Sequence, residues 1–208
     1  MARFILTLAT VMLLTGCNVL AFPSYVLFGG STTKVKAEYP HLHNQKIAII
    51  VSAGPGTDFE YPYGRTDVAL ATAQAIAKHV KDATFVEQEK VNAFQQATLD
   101  WITLAKPQIA RQFNAQQLIW LDLIQFTTRE ESSVNLLRGR LTAAVRIYDI
   151  NAENPHTPQY ETEIAILIPS HGPMPASDLA QQQIYRQMII LFAEQLTQKF
   201  YTHKVPAK

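Results

Sequence analysis

The six residues Lys46-Ile47-Ala48-Ile49-Ile50-Val51 most constrain how this chain folds. After the lysine the run is unbroken apolar and rich in β-branched side chains. A strand of that kind is buried on both faces, which requires layers above and below it. Ser52-Ala53-Gly54-Pro55-Gly56-Thr57 then reads as a loop. Thr66 or Asp67 can cap a helix reaching about Lys81, with Val68, Ala71, Ala75 and Ile76 along one stripe. Ala83-Thr84-Phe85-Val86 is a short strand. Glu87 to Ala97 is helical, with Val91 and Phe94 inward, and Ile102 to Phe113 is helical with Pro107 marking a new start. The stretch from Gln117 to Phe126 is a long strand. Leu141, Ala143, Val145 and Ile147 alternate with Thr142, Ala144, Arg146 and Tyr148, the pattern of an antiparallel strand with one face partly wet. Glu161 to Ile168 is a further strand. Ser177 or Asp178 caps a last helix to about Tyr201, with Ile184, Met188, Leu191, Phe192 and Leu196 inward.

The order is therefore β-α-β-α-α-β-β-β-α. A strand-helix-strand start predicts a right-handed parallel crossover, and the later strands predict antiparallel additions. The expected fold is α/β (α+β): a mixed sheet of about five strands with helices packed on it. With 48% hydrophobic residues in 208, the chain can support one domain with a proper core, roughly 150 residues long.

The amino terminus has a different character. Arg3 precedes an apolar run from Phe4 to Leu14, too short to span a bilayer and suited to the core of a signal peptide. Leu14-Thr15-Gly16-Cys17 comes next, in register, and resembles a lipobox, the recognition site of lipoprotein signal peptidase. Cys17 is the single cysteine, so it has no intrachain disulfide partner and no multi-cysteine metal site to serve. A diacylglycerol on its thiol explains it, and two or three acyl chains give stable anchoring at about 0.8 kcal/mol per buried methylene. Asn18, where an aspartate would signal inner-membrane retention, favours the outer membrane facing the periplasm. The expected organisation is a signal peptide over 1–16, a lipidated terminus and linker over 17–44, one domain over 45–203 and a tail over 204–208. Within the linker, the apolar Val19 to Phe28 piece either rests in the bilayer interface or packs on the domain. His41 and His43 lack a third ligand nearby and read as solvated residues.

Two resemblances arise from the pattern. The element order and the Gln-Phe-Asn-Ala-Gln-Gln-Leu-Ile-Trp-Leu stretch at 112–121 resemble a superfamily containing the curli-secretion lipoproteins, the lipoprotein activators of penicillin-binding proteins, and the amino-terminal domain of the Tol-system propeller protein. Lys36-Ala37-Glu38-Tyr39-Pro40, Asp58-Phe59-Glu60-Tyr61-Pro62-Tyr63, Phe126-Thr127-Thr128-Arg129-Glu130 and Asn135-Leu136-Leu137-Arg138-Gly139-Arg140 are similar to segments of small planctomycete envelope lipoproteins. That resemblance implies a location and no chemistry.

Two regions are candidate partner-binding surfaces. The loop after the first strand carries Tyr61, Tyr63 and Arg65. Its Gly54-Pro55-Gly56 lacks both the Lys-Ser/Thr of a P-loop and the glycine spacing of a dinucleotide turn. The hairpin between the long strands brings together Arg129, Glu130, Arg138 and Arg140. Cross-strand ion pairs holding the hairpin are its plain explanation, and a partner-binding or anion-binding edge the sharper one. Leu136 and Leu137 near its tip must pack back or meet another molecule. No nucleophile elbow of the Gly-x-Ser-x-Gly type exists, and Glu161 and Glu163 on one strand face do not by spacing alone make an acid/base pair. No catalytic motif, cofactor or metal is expected. The formal net charge of +1, without a basic run, speaks against nucleic acid as partner. The reading is a lipid-anchored envelope protein serving as a non-catalytic interaction or assembly module, its partner an envelope protein or a second copy. The alternative is a ligand-binding or catalytic domain using a pocket at the carboxyl end of the sheet.

Overall fold

In the computed structural model, residues 32–206 are described; the leader and Cys17 lie outside them. Strand β1 (Thr32–Val35) pairs antiparallel with β8 (His203–Pro206), Thr32 opposite Pro206 and Val35 opposite His203. These two strands form a sheet in a unit of their own.

The main body spans Ala37–Tyr201. Its strands are β2 (Lys46–Ala53), β3 (Thr84–Phe85), β4 (Gln117–Glu130), β5 (Ser133–Asp149), β6 (Tyr160–Ile168) and β7 (Met174–Pro175). They form a mixed sheet in the order β3-β2-β4-β5-β6, with β7 added beside β5. The β2 strand is parallel to β3 and β4, and β4, β5 and β6 are antiparallel neighbours. Helices α1 (Pro55–Glu60), α2 (Gly64–His79), α3 (Gln88–Ala97), α4 (Lys106–Gln112) and α5 (Asp178–Thr197) complete it, with a 3-10 turn at Trp101–Thr103.

The apolar run of β2 is buried because both faces of the sheet are covered there. Ile47, Ile49 and Val51 pack with Val68 and Ile76 of α2 and with Met188, Phe192 and Leu196 of α5. Ala48 and Ile50 turn the other way, onto Trp120 of β4, Val91 of α3 and Ile109 of α4. The second helical layer reaches β5 at its Tyr148 end and leaves most of β5 and β6 without a helix on that side. Their outward residues alternate with buried ones, the one-sided pattern expected of an antiparallel strand.

A bulge in β4 changes which residues of that strand face the core. Leu123 faces Ala143 and Gln125 faces Thr142, so Ile124 is the extra residue and is left 62% exposed. Before it, odd-numbered Ile119, Leu121 and Leu123 enter the α2–α5 core. After it the parity switches and Phe126 enters instead.

Helix ends differ in part from expectation. Ser177 caps α5, its Oγ accepting from the Ala180 N–H at 3.2 Å. Proline at the start of α4 fixes that helix's entry, as Pro107 suggests. In contrast, α2 begins at Gly64, ahead of Thr66 and Asp67, and no side chain caps it. Pro55 starts a helix where the sequence reads as a loop. Within α5, Leu191 is 41% exposed, and Ile189 takes an inward place in its stead. Tyr39 and Leu42, assigned to the linker by sequence, are buried in the core.

Buried phenols give the body a pH limit. Burial, then the charge of Asp149, pushes Tyr39 up to about 12, while its hydroxyl donates to Gln117 Oε1 at 3.0 Å. Burial likewise raises Tyr148, Tyr160 and Tyr185. A phenol whose folded value lies above the unfolded one adds stability that is fully present below about pH 10 and is lost as pH rises through the folded value. Through these phenols, the free energy of urea unfolding is expected to fall as pH rises above about 10. The phenolate absorbance of these four tyrosines should lag until the domain opens. Ionisation of every tyrosine in one wave near pH 10, in the folded protein, would contradict this.

Candidate functional site: the hairpin end and the cleft beside strand β2

The long strands β4 and β5 run on past their other partners. Pairing of β2 with β4 ends at Ala53 and Leu123, and pairing of β6 with β5 ends at Gly139 and Ile168. Beyond that, β7 covers Leu136 and Leu137, and the edge of β4 receives the Tyr61 hydroxyl. The Thr128 N–H donates to Tyr61 Oη at 2.9 Å, and Tyr61 Oη lies 3.0 Å from both Thr128 Oγ1 and Glu60 Oε1. Tyr61 is thus buried, its ring 5.0 Å from Phe126 and stacked 6.0 Å from Tyr185. A side chain used this fully holds the hairpin in place from beneath.

The charged residues of the hairpin form one network. Glu130 accepts from Arg140 Nη2 at 2.5 Å and faces Arg138 Nη1 at 3.8 Å. The hydrogen bond from Arg140, then one from the Glu131 N–H, holds the Glu130 carboxyl below the usual range. Arg129 reaches back to Glu60 at 3.7 Å, tying the hairpin to the end of α1. Leu137 packs back into the core, at 1% exposure, and Val134 at the tip stands 74% exposed. Arg138 Nε is buried without a hydrogen-bond partner among the described residues.

A groove of about 750 Å³ opens beside the hairpin, with Tyr61, Tyr185 and Ile189 on its walls and Glu60, Asp67, Asp178 and Arg186 around it. Tyr185 Oη donates to Asp67 Oδ2 at 2.6 Å. Burial, then this bond to Asp67, raises Tyr185 well above the usual phenol range.

Tyr63 and Arg65 point elsewhere. They border a second, smaller cleft of about 400 Å³ at Ala53, the carboxyl end of β2. Sheets of this type place ligands at such strand ends. Arg65 Nε pairs with Asp58 at 2.9 Å, and Tyr63 is 73% exposed. The opposite wall comes from α3 and the 3-10 turn: Asn92, Gln95, Gln96, Trp101 and Ile102. The sequence points to none of these five, because amides scattered along a polar helix carry no spacing signal. The seven partner-surface residues expected from sequence therefore separate into two places, Tyr61 with the four hairpin residues and Tyr63 with Arg65 at the cleft.

On the sheet face toward α3 and α4, Asp122 gathers Ser52 Oγ, Trp120 Nε1 at 2.7 Å and Arg146 Nη1 at 2.5 Å, and Arg146 reaches Glu161 at 3.4 Å. This crosses four strands and saturates Asp122. It ties the sheet together and offers no free acid or base. Among the described residues no group of three or more His, Cys, Asp or Glu is placed to hold a metal. No helix among them is long and apolar enough to cross a membrane.

No family model and no curated protein matches the chain. Solved structures similar to it include the PelC dodecamer from Paraburkholderia phytofirmans, at TM-score 0.45 and 9% identity over 81% of this chain and 97% of that one. Lipoprotein GNA1162 from Neisseria meningitidis is similar at 0.42 and 12%, over 67% and 90% of the two chains. Protein XCC0632 from Xanthomonas campestris is similar at 0.46 and 10%, over 79% and 89%. Likenesses of this degree assign neither a family nor a function to this chain.

Proposed function

We propose that this chain is an exported lipoprotein of the cell envelope, anchored through lipid on Cys17 to the outer membrane and facing the periplasm. Its α/β body is a non-catalytic module that holds an envelope protein. The observation that carries the module reading is the end of the β4–β5 hairpin. It extends past the neighbouring strands, is braced by Glu60–Arg129 and by Glu130 with Arg138 and Arg140, and presents Val134 at its tip. A rigid edge with an exposed apolar residue and a ring of arginines is suited to a partner surface.

Crosslinking in intact envelopes, then detergent extraction and recovery of the full chain, tests it. Val134→Asp and Arg138→Ala should each lose a partner that the parent chain and Tyr63→Ala retain. Recovery of the same partners by all four proteins would remove the hairpin from consideration.

A further inference from the structure

The cleft at the carboxyl end of β2 has a composition that selects a ligand class. Its one guanidinium and one carboxylate, Arg65 and Asp58, are bonded to each other at 2.9 Å. No net charge is left to hold an ion. What remains is hydroxyl and carboxamide, and much of it is fixed in place. Gln88 Nε2 donates to Asn92 Oδ1 at 3.2 Å, Asn92 Nδ2 donates to Thr66 Oγ1 at 3.1 Å, and Gln95 Nε2 donates to the Val51 carbonyl at 3.1 Å.

This bonding orients the walls on either side of the space. Gln96, which has no hydrogen bond among the described residues, lines the space together with Gln95, the Asp58 carboxylate and the Arg65 guanidinium. They supply donors and acceptors side by side, as paired hydroxyl groups on a ring require. At the border stand two aromatic rings. Trp101 is held at 5.5 Å from Trp120, and Tyr63 is largely exposed. Preset polar groups, absent net charge and flat apolar rings together match a pyranose, which carries hydroxyls at its rim and C–H groups on its face. The volume, about 400 Å³, lies within the range of small-ligand sites.

We infer that this cleft binds a neutral saccharide, with Gln95, Gln96, Asp58 and Arg65 taking its hydroxyls and Trp101 or Tyr63 its ring face. The site is separate from the hairpin and does not depend on it.

The chain's two tryptophans give the readout, since Trp101 borders the cleft and Trp120 is buried behind it. The full chain, extracted in a detergent without a sugar headgroup, is titrated with cellobiose, maltose and di-N-acetylchitobiose while its emission is recorded. The expected result is a saturable spectral change with at least one disaccharide. Gln96→Ala should weaken that binding by about tenfold or more. Its unfolding midpoint should match the parent's, because Gln96 is exposed and unbonded. Val134→Asp should bind as the parent does. No saturable change with any of the three sugars would overturn the inference. So would saturation unaltered by Gln96→Ala, or saturation by adenosine or inorganic phosphate and not by a sugar.

Discussion

Replacing Trp120 by alanine is expected to lower the unfolding free energy by about 3–5 kcal/mol. The ring is 2% exposed at the centre of the core between the sheet and α3–α4. Three things are lost with it. The first is packing against Ala48, Ile50, Val91 and Ile109. The second is the platform under Lys106, whose Nζ sits 3.6 Å from the ring centroid. Burial lowers the Lys106 ammonium from its usual range, and the Ile102 carbonyl at 2.8 Å accepts one of its hydrogens. Without the ring that charge stands over a cavity. The third is the Nε1–H that reaches Asp122 at 2.7 Å. Trp120→Phe separates these effects in part, since it removes the donor and the second ring but keeps an aromatic ring in the core. Asp122 retains Ser52 and Arg146, so the phenylalanine variant should lose about 1–3 kcal/mol, less than the alanine variant. Denaturant unfolding monitored by circular dichroism, with an unchanged slope, measures both. Equal losses for the two variants would mean that the hydrogen bond, and not packing, governs this core.

Gly139→Val is expected to destabilise by about 3 kcal/mol, and Gly139→Ala by about 1–3 kcal/mol. Gly139 lies in β5 where α5 crosses it closely. A Cβ there would stand 2.5 Å from Ile184 Cγ2 and 3.0 Å from Ile168 Cγ1. The first distance is shorter than contact allows and the second is tight, and Ile184 at 3% exposure and Met188 at 0% have little room to retreat. A glycine in a strand interior marks such an approach. Shortening the opposing side chain should make room. Ile184→Ala combined with Gly139→Ala is expected to be less destabilising than the two single losses added together. Strict additivity would show that α5 does not press on β5 at this point.

Some of this architecture was legible in the residues and some was not. Where a periodicity repeats over several residues, it was legible. The apolar run of β2, the alternation of β5 and the Ser177 cap all lie where the pattern put them. Most shorter patterns left no trace, although the two-residue β3 lies within the expected Ala83–Val86 strand. Strands β1 and β8 are four residues each and pair across most of the chain, and β7 has two residues. The glycines around Pro55 masked α1, although a proline at the first helical position is a start signal. The bulge at Ile124 reverses parity in mid-strand, so no single alternation spans Gln117 to Glu130. Leu191 shows the limit of a helical stripe, because an apolar residue fits either side of its edge.

The site was legible in a different way. Ion pairs at the hairpin arise from opposite charges on facing strands, and the network of Glu130 with Arg138 and Arg140 has that form. The fate of Tyr61 could not be read from sequence. Three tyrosine and proline residues in a row do not reveal which ring turns inward, and only the unpaired Thr128 N–H on the edge of β4 explains why Tyr61 does. The cleft was legible as a place, beyond the carboxyl end of the first strand, but not as a composition. Its amides come from α3 and its tryptophan from the 3-10 turn after it, about forty residues from the strand in sequence.

Acylation at residue 17 decides whether the chain is lipid-anchored, the property on which its proposed place in the envelope depends. Cells expressing the full chain are labelled with a palmitate analogue, and the mature amino terminus is read by mass spectrometry. The expected result is a terminus at Cys17 bearing diacylglycerol, label in the membrane fraction, and no label on Cys17→Ser. A mature chain that begins elsewhere and carries no acyl group, or a Cys17→Ser chain that is still labelled, would rule the anchor out.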